Sequence, residues 1–96
     1  MAEYRLSPAA QRDLEEVFDY TVGQWGLAQA IQYTDQIEAA CTALAEAPLL
    51  SLDCADIRPG YRRRVVGQHM KYFRVAPYGV AVVRLLNQRM DATRRL

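Results

Sequence analysis

Between Ala10 and Asn87 the hydrophobic pattern of this 96-residue chain changes period once, and that change limits the folds open to it. From Ala10 to Leu44, apolar residues recur three and four positions apart; from Tyr61 to Asn87 they recur nearer to every second position. The first spacing makes one stripe on a helix, the second one face of a strand. A helical half followed by a strand half, within the length of one domain, predicts an α+β architecture in which the helices cover one side of a sheet.

The element boundaries follow from local chemistry. EYRLS at 3–7 alternates and reads as a short first strand. Ser7-Pro8 then opens a helix, because a serine oxygen satisfies a free N–H and proline has none to leave unpaired. Ala10, Leu14, Val17, Phe18 and Thr21 form its apolar stripe, with Glu15, Glu16 and Asp19 on the wet side. Gly23 and Gly26 bracket Trp25 and end the helix. A second runs from Leu27 to Glu46, with Ala30, Tyr33, Ile37, Ala40, Cys41 and Leu44 on one face and Pro48 just beyond. So short a connection makes the pair an antiparallel hairpin. Residues 47–60 are the longest irregular stretch. Strands are then expected at Tyr61–Val66, His69–Val75 and Val80–Asn87, joined by the two-residue turn Gly67-Gln68 and by Ala76-Pro77-Tyr78-Gly79. The tail QRMDATRRL is polar, with room for one helical turn. The predicted order is β-α-α-β-β-β, a helical hairpin packed on an antiparallel sheet, in a single domain over 1–96.

The turn at Gly67-Gln68 sets Val65 against Met70, Arg64 against Lys71 and Arg63 against Tyr72. One face of this hairpin carries Tyr61, Arg63, Val65, Met70, Tyr72 and Arg74; the other carries Arg62, Arg64, Val66, His69, Lys71, Phe73 and Val75. The first is expected to meet the helices. The second would be an exposed surface, half cationic and half apolar.

The net charge of +1 conceals a division. Residues 1–57 hold two arginines against ten acids, whereas residues 58–96 hold nine arginines and a lysine against one acid. Either the halves neutralise one another in the fold or the basic half faces an acidic partner. An apolar share of 51% excludes a disordered chain. The N-terminus MAEYRLSP has no apolar signal segment, and no run approaches the ~18 apolar residues of a membrane span. The expected location is the cytoplasm. Cys41 falls on the helical stripe and Cys54 in the polar loop, which argues against a disulfide; one histidine and no CxxC argue against zinc. No cofactor is expected. His69 flanks a turn and reads as structural, and no nucleophile motif, carboxylate pair or phosphate loop is present. Trp25, at the hairpin tip, either clamps the two helices or is offered to a partner.

The segments YRLSPAAQRDLEEVFDYTVGQWG, IRPGYRR, GQH followed by YFRV, and VVRLLNQRMD resemble the ParE branch of the RelE/ParE toxin superfamily, from Tyr4 to Asp91. The resemblance implies the fold derived above and the toxic half of a bacterial type II toxin–antitoxin pair. It further implies a toxin that inhibits DNA gyrase and so DNA replication, and that meets DNA only indirectly, through gyrase or the antitoxin. A ParD-like antitoxin would neutralise it. On this reading Arg89, Arg94 and Arg95, on a flexible cationic end, are the expected gyrase contacts. Trp25, Tyr33, Arg58, Arg62, Arg64 and Phe73 are the expected antitoxin contacts. The sister RelE branch cuts mRNA on the ribosome, using basic residues on the sheet and often a tyrosine near the C-terminus. Here Arg62, Lys71 and Arg89 could supply the cations, but no tyrosine follows Tyr78. The expectation is therefore a toxin that binds and does no chemistry. The alternatives are a RelE-like endoribonuclease and a degenerate toxin kept only to bind its antitoxin.

Overall fold

A computed structural model of the chain describes residues 3–48, 52–53, 58–90 and 92–96. Their order is β1 (Glu3–Leu6), α1 (Pro8–Trp25), α2 (Leu27–Glu46), β2 (Leu52–Asp53), β3 (Tyr61–Val66), β4 (His69–Ala76), β5 (Gly79–Asn87) and α3 (Ala92–Arg95). The Ser7 hydroxyl accepts from the Ala10 N–H at 3.0 Å and donates to the Val83 carbonyl at 2.7 Å. One side chain thus starts α1 and fastens it to the last strand. Gly23 does not end the helix. α1 continues through it to Trp25, and the junction with α2 is Gly26 alone, at φ +92°, a conformation that side chains resist.

The five strands lie in the order β1-β5-β4-β3-β2. The β3–β4 and β4–β5 pairs are antiparallel, and Gly67-Gln68 makes the expected turn with the expected register. β1 departs from the antiparallel expectation. It runs parallel to β5, Glu3 beside Gly79 and Leu6 beside Val82, so the sheet is mixed. A β-carbon on Gly79 would collide with the Glu3 backbone, which explains a glycine where β1 begins. β2 was not expected; two residues are too few to show a period, and they pair only with Arg63 and Arg62.

The core lies between the sheet and the hairpin. Ala10, Leu14, Val17, Ile37, Cys41, Leu44 and Ala45 of the helices meet Phe73, Val80, Val82 and Leu85 of the sheet. The expected face assignment is therefore reversed: Lys71 and Phe73 point toward the helices, and Tyr72 and Arg74 lie on the open side. The reason is in β5. Cations occupy both faces of the β3–β4 hairpin, so its polarity does not decide which face is buried. Val80, Val82 and Leu85 must cover the helices, and the pairing of Phe73 with Val82 carries that orientation into β4. A register shift between Tyr72 and Phe73 leaves Val83 as the extra residue of a β-bulge on β5.

The open face has a smaller core of its own. Tyr72 and Leu86 are buried there, with Tyr61, Met70, Ala92 and Leu96 packed against them. α3 thus folds back over part of the sheet. Arg58 Nη2 donates to the Leu96 carbonyl at 2.7 Å, and Arg84 Nη1 donates to the Arg95 carbonyl at 3.0 Å. The tail is a docked element, in place of the flexible end expected from its polarity.

Candidate functional site: the hairpin tip and the basic sheet

The expected contact residues divide into surface groups and buried ones. Trp25 is 72% exposed at the tip of the helical hairpin, too open to serve as a clamp between the two helices. Leu27 and Ile31, one turn apart on α2, and Tyr20 on α1 are also exposed. Exposed apolar and aromatic side chains therefore stand on both helices on the approach to the one-residue junction. Arg58 is exposed but engaged by Leu96, Arg64 is exposed on β3, and Arg62 is half-buried.

Phe73 is a correction. It is 0% exposed, at the centre of the core, and offers nothing to a partner. Tyr33 is half-buried and bonded internally. Its hydroxyl accepts from the Gln68 N–H at 3.1 Å and lies 2.8 Å from His69 Nδ1. It thereby fastens α2 to the β3–β4 turn. Burial pushes the His69 imidazole below its ordinary range, partly opposed by the Asp13 charge.

Arg89, Arg94 and Arg95 are all exposed, but they occupy different elements. Arg94 and Arg95 ride on α3. Arg89 borders an open groove of about 440 Å³ beside α1, together with Glu16, Tyr20, His69 and Met90, and its N–H donates to Asn87 Oδ1 at 3.0 Å.

Lys71 lies with the helices, 0% exposed, and its Nζ has no hydrogen-bond partner among the described residues. It borders a small cavity with Tyr4, Leu6, Glu38 and Cys41. Burial pushes its ammonium pKa down; Cys41 works against that shift and Arg64 adds to it. A lysine enclosed in this way cannot meet a substrate phosphate, so the cation set of the nuclease alternative loses a member.

One ionic assembly was not anticipated. The Asp13 carboxylate accepts from Arg84 Nε at 2.8 Å, Arg84 Nη2 at 2.9 Å and the Leu85 N–H at 3.0 Å. β1 ends opposite Val82, so the next donor of β5 would lack a strand partner; Asp13 supplies one. The signal was present in the sequence. Asp13 falls three residues after Ala10 and four before Val17, on the apolar stripe, and Arg84 is the lone charge within VAVVRLL. The buried carboxylate is tolerated there because the partly exposed Arg84 pairs with it.

Among the described residues no acidic, histidine or cysteine cluster could hold a metal ion, and no helix is long and apolar enough to cross a membrane.

The chain matches the family model for the ParE toxin of the type II toxin-antitoxin system, parDE, over residues 4–92. It is 45% identical over 96 residues to Toxin ParE1 of Mycobacterium tuberculosis, covering 99% of this chain and 98% of that one. Toxin ParE1 of Caulobacter vibrioides is 35% identical over 96 residues, covering 100% and 99%. A chain in the solved structure titled "Chromosomal ParDE TA system from P. aeruginosa" superposes with a TM-score of 0.78, covering 91% of this chain and 96% of that one. At 19% identity that last likeness concerns the fold.

Proposed function

From the premise that the chain belongs to the ParE toxin family of type II toxin–antitoxin systems, we propose that it poisons DNA gyrase by binding and catalyses no reaction itself. The observation that carries this reading is Lys71, the sole lysine of the basic half, enclosed between sheet and helices with no hydrogen-bond partner for its Nζ among the described residues. Phosphoryl chemistry needs cations at the surface and a group to move a proton. Of the cations a ribonuclease would use here, Arg62, Lys71 and Arg89, Lys71 is inaccessible, and no tyrosine follows Tyr78 to move a proton. Three exposed arginines toward the C-terminus, Arg89, Arg94 and Arg95, are the proposed gyrase contacts, cations presented to an enzyme working on polyanionic DNA.

The same reading supplies a ParD-type antitoxin as partner. Its proposed footprint is the exposed apolar surface around Trp25 together with Arg58, Arg62 and Arg64. Aromatic and arginine side chains carry most interface energy, and an acidic segment would complement the basic half.

Purified gyrase distinguishes the possibilities. Added toxin should increase DNA cleavage complexes and slow relaxation or supercoiling, while mRNA in a reconstituted ribosome system stays intact. Message cleavage with normal gyrase turnover would instead identify a ribonuclease.

A further inference from the structure

α3 leaves one end of the open sheet face uncovered, and a single row of side chains crosses it. The strand register places Arg5 of β1, Ala81 of β5, Arg74 of β4 and Tyr61 of β3 side by side. Neighbouring strands lie ~4.8 Å apart, so Arg5 and Arg74 leave the backbone roughly 10 Å from one another with only a methyl group between them. The result is a trough of about 320 Å³, walled by the two arginines, Tyr61 and Tyr78 and floored by Ala81 and Val83. Arg5 is held in place: its guanidinium carbon lies 4.0 Å from the centre of the Tyr78 ring, and Nε and Nη2 both donate to Glu3 Oε1, at 3.0 Å and 2.6 Å. The Arg74 side chain is exposed and makes no hydrogen bond or ion pair among the described residues.

We propose that this trough is a carboxylate subsite, taking one aspartate or glutamate side chain from the acidic segment of the ParD-type antitoxin. The inference rests on the antitoxin reading above and adds a second docking point, away from the hairpin tip. Charge decides the class of ligand. A nucleic-acid strand gains affinity by having several phosphates neutralised. The trough offers two guanidiniums, and Glu3 already compensates one. What remains suits a single negative group, and the planar fork of arginine matches the two oxygens of a carboxylate. Ala81 gives that group room to descend between the arginines, and Tyr61 and Tyr78 present carbon surface to its methylenes.

The test titrates the full-length antitoxin encoded with the toxin into wild type, Arg74→Ala, Arg74→Glu and Ala81→Leu, each first checked for an unchanged urea midpoint. Arg74→Ala should weaken the complex about tenfold or more, and Arg74→Glu further still. Ala81→Leu should do the same while every charge remains. If Ala81→Leu fails the folding check, the two Arg74 variants decide. Wild-type affinity in both of them overturns the subsite and leaves the antitoxin reading standing; no complex with wild-type toxin ends both. A parallel titration uses a short single-stranded oligonucleotide of mixed sequence. Tight binding of that strand, lost in Arg74→Ala while antitoxin binding is unchanged, would give the trough to nucleic acid and refute the proposal.

Discussion

At the scale of single residues, Lys71 and His69 are titratable groups whose burial works against their charge. Lys71 is fully buried without a partner for its nitrogen among the described residues, so it costs stability whether charged or neutral. Lys71→Met keeps the length and removes the amine, and should stabilise the fold by about 1–3 kcal/mol, read as a higher urea midpoint with the slope unchanged. A lower midpoint would mean that the amine has a partner after all. His69 gives a prediction in pH. Its folded pKa lies below the ordinary 6.5, so as pH falls through 6.5 the unfolded state takes up the proton first. The stability linked to His69 is complete above that value and is lost toward the lower, folded one. Wild type should therefore lose more stability than His69→Gln between about pH 7 and pH 5. Parallel curves for the two proteins would remove His69 from the account. Asp13 shows what the sequence revealed and what it hid. Its position on the apolar stripe was readable, but its partner is 71 residues away, and only the end of β1 makes the Leu85 N–H available.

At the scale of elements, helices and strands were legible where a period could declare itself. α2, β3 and the Gly67-Gln68 turn stand where the spacing put them, and β4 and β5 differ by one residue each. The misses have physical causes. Gly23 lies inside α1 because the packed stripe outweighs a helix-weakening glycine, whose cost is about 1 kcal/mol. The inward face of β4 is not legible in its own residues because it carries a cation on each side, Lys71 on one and Arg74 on the other, and the decision belongs to a neighbouring strand. The open-face contacts of α3 could not be read from four residues of ATRR. The β3–β4 turn is also a joint to α2: Gly67 has φ +55°, and a β-carbon there would come within 2.6 Å of the Tyr33 hydroxyl. Gly67→Ala should accordingly cost more than the ~1 kcal/mol usual for a glycine lost at positive φ. Combined with Tyr33→Ala, which clears the space, the extra cost should fall below the sum of the two. Strict additivity in that double-mutant cycle would show that the contact carries no weight.

At the scale of the whole molecule, the helical half is acidic and the sheet half basic, and Asp13 pairs with Arg84 between them. Arg64, Arg74, Arg89 and Arg95 are exposed on the basic half, so association with the acidic antitoxin segment proposed above should slow as salt rises, chiefly in the on-rate. A rate indifferent to salt would remove electrostatic steering from the mechanism. Trp25→Ala, at the far end of the hairpin, should instead speed dissociation and leave the salt slope as it was. The parallel seat of β1 on β5 has a different kind of consequence. The first strand has its place only beside β5, which is made after the helical hairpin and β4, and Asp13 finds Arg84 only then. A ribosome that has made the helical hairpin has made nothing that can close. The mixed sheet therefore closes late in folding, after β5 has followed the helical hairpin, and Asp13 and Arg84 meet in that same step.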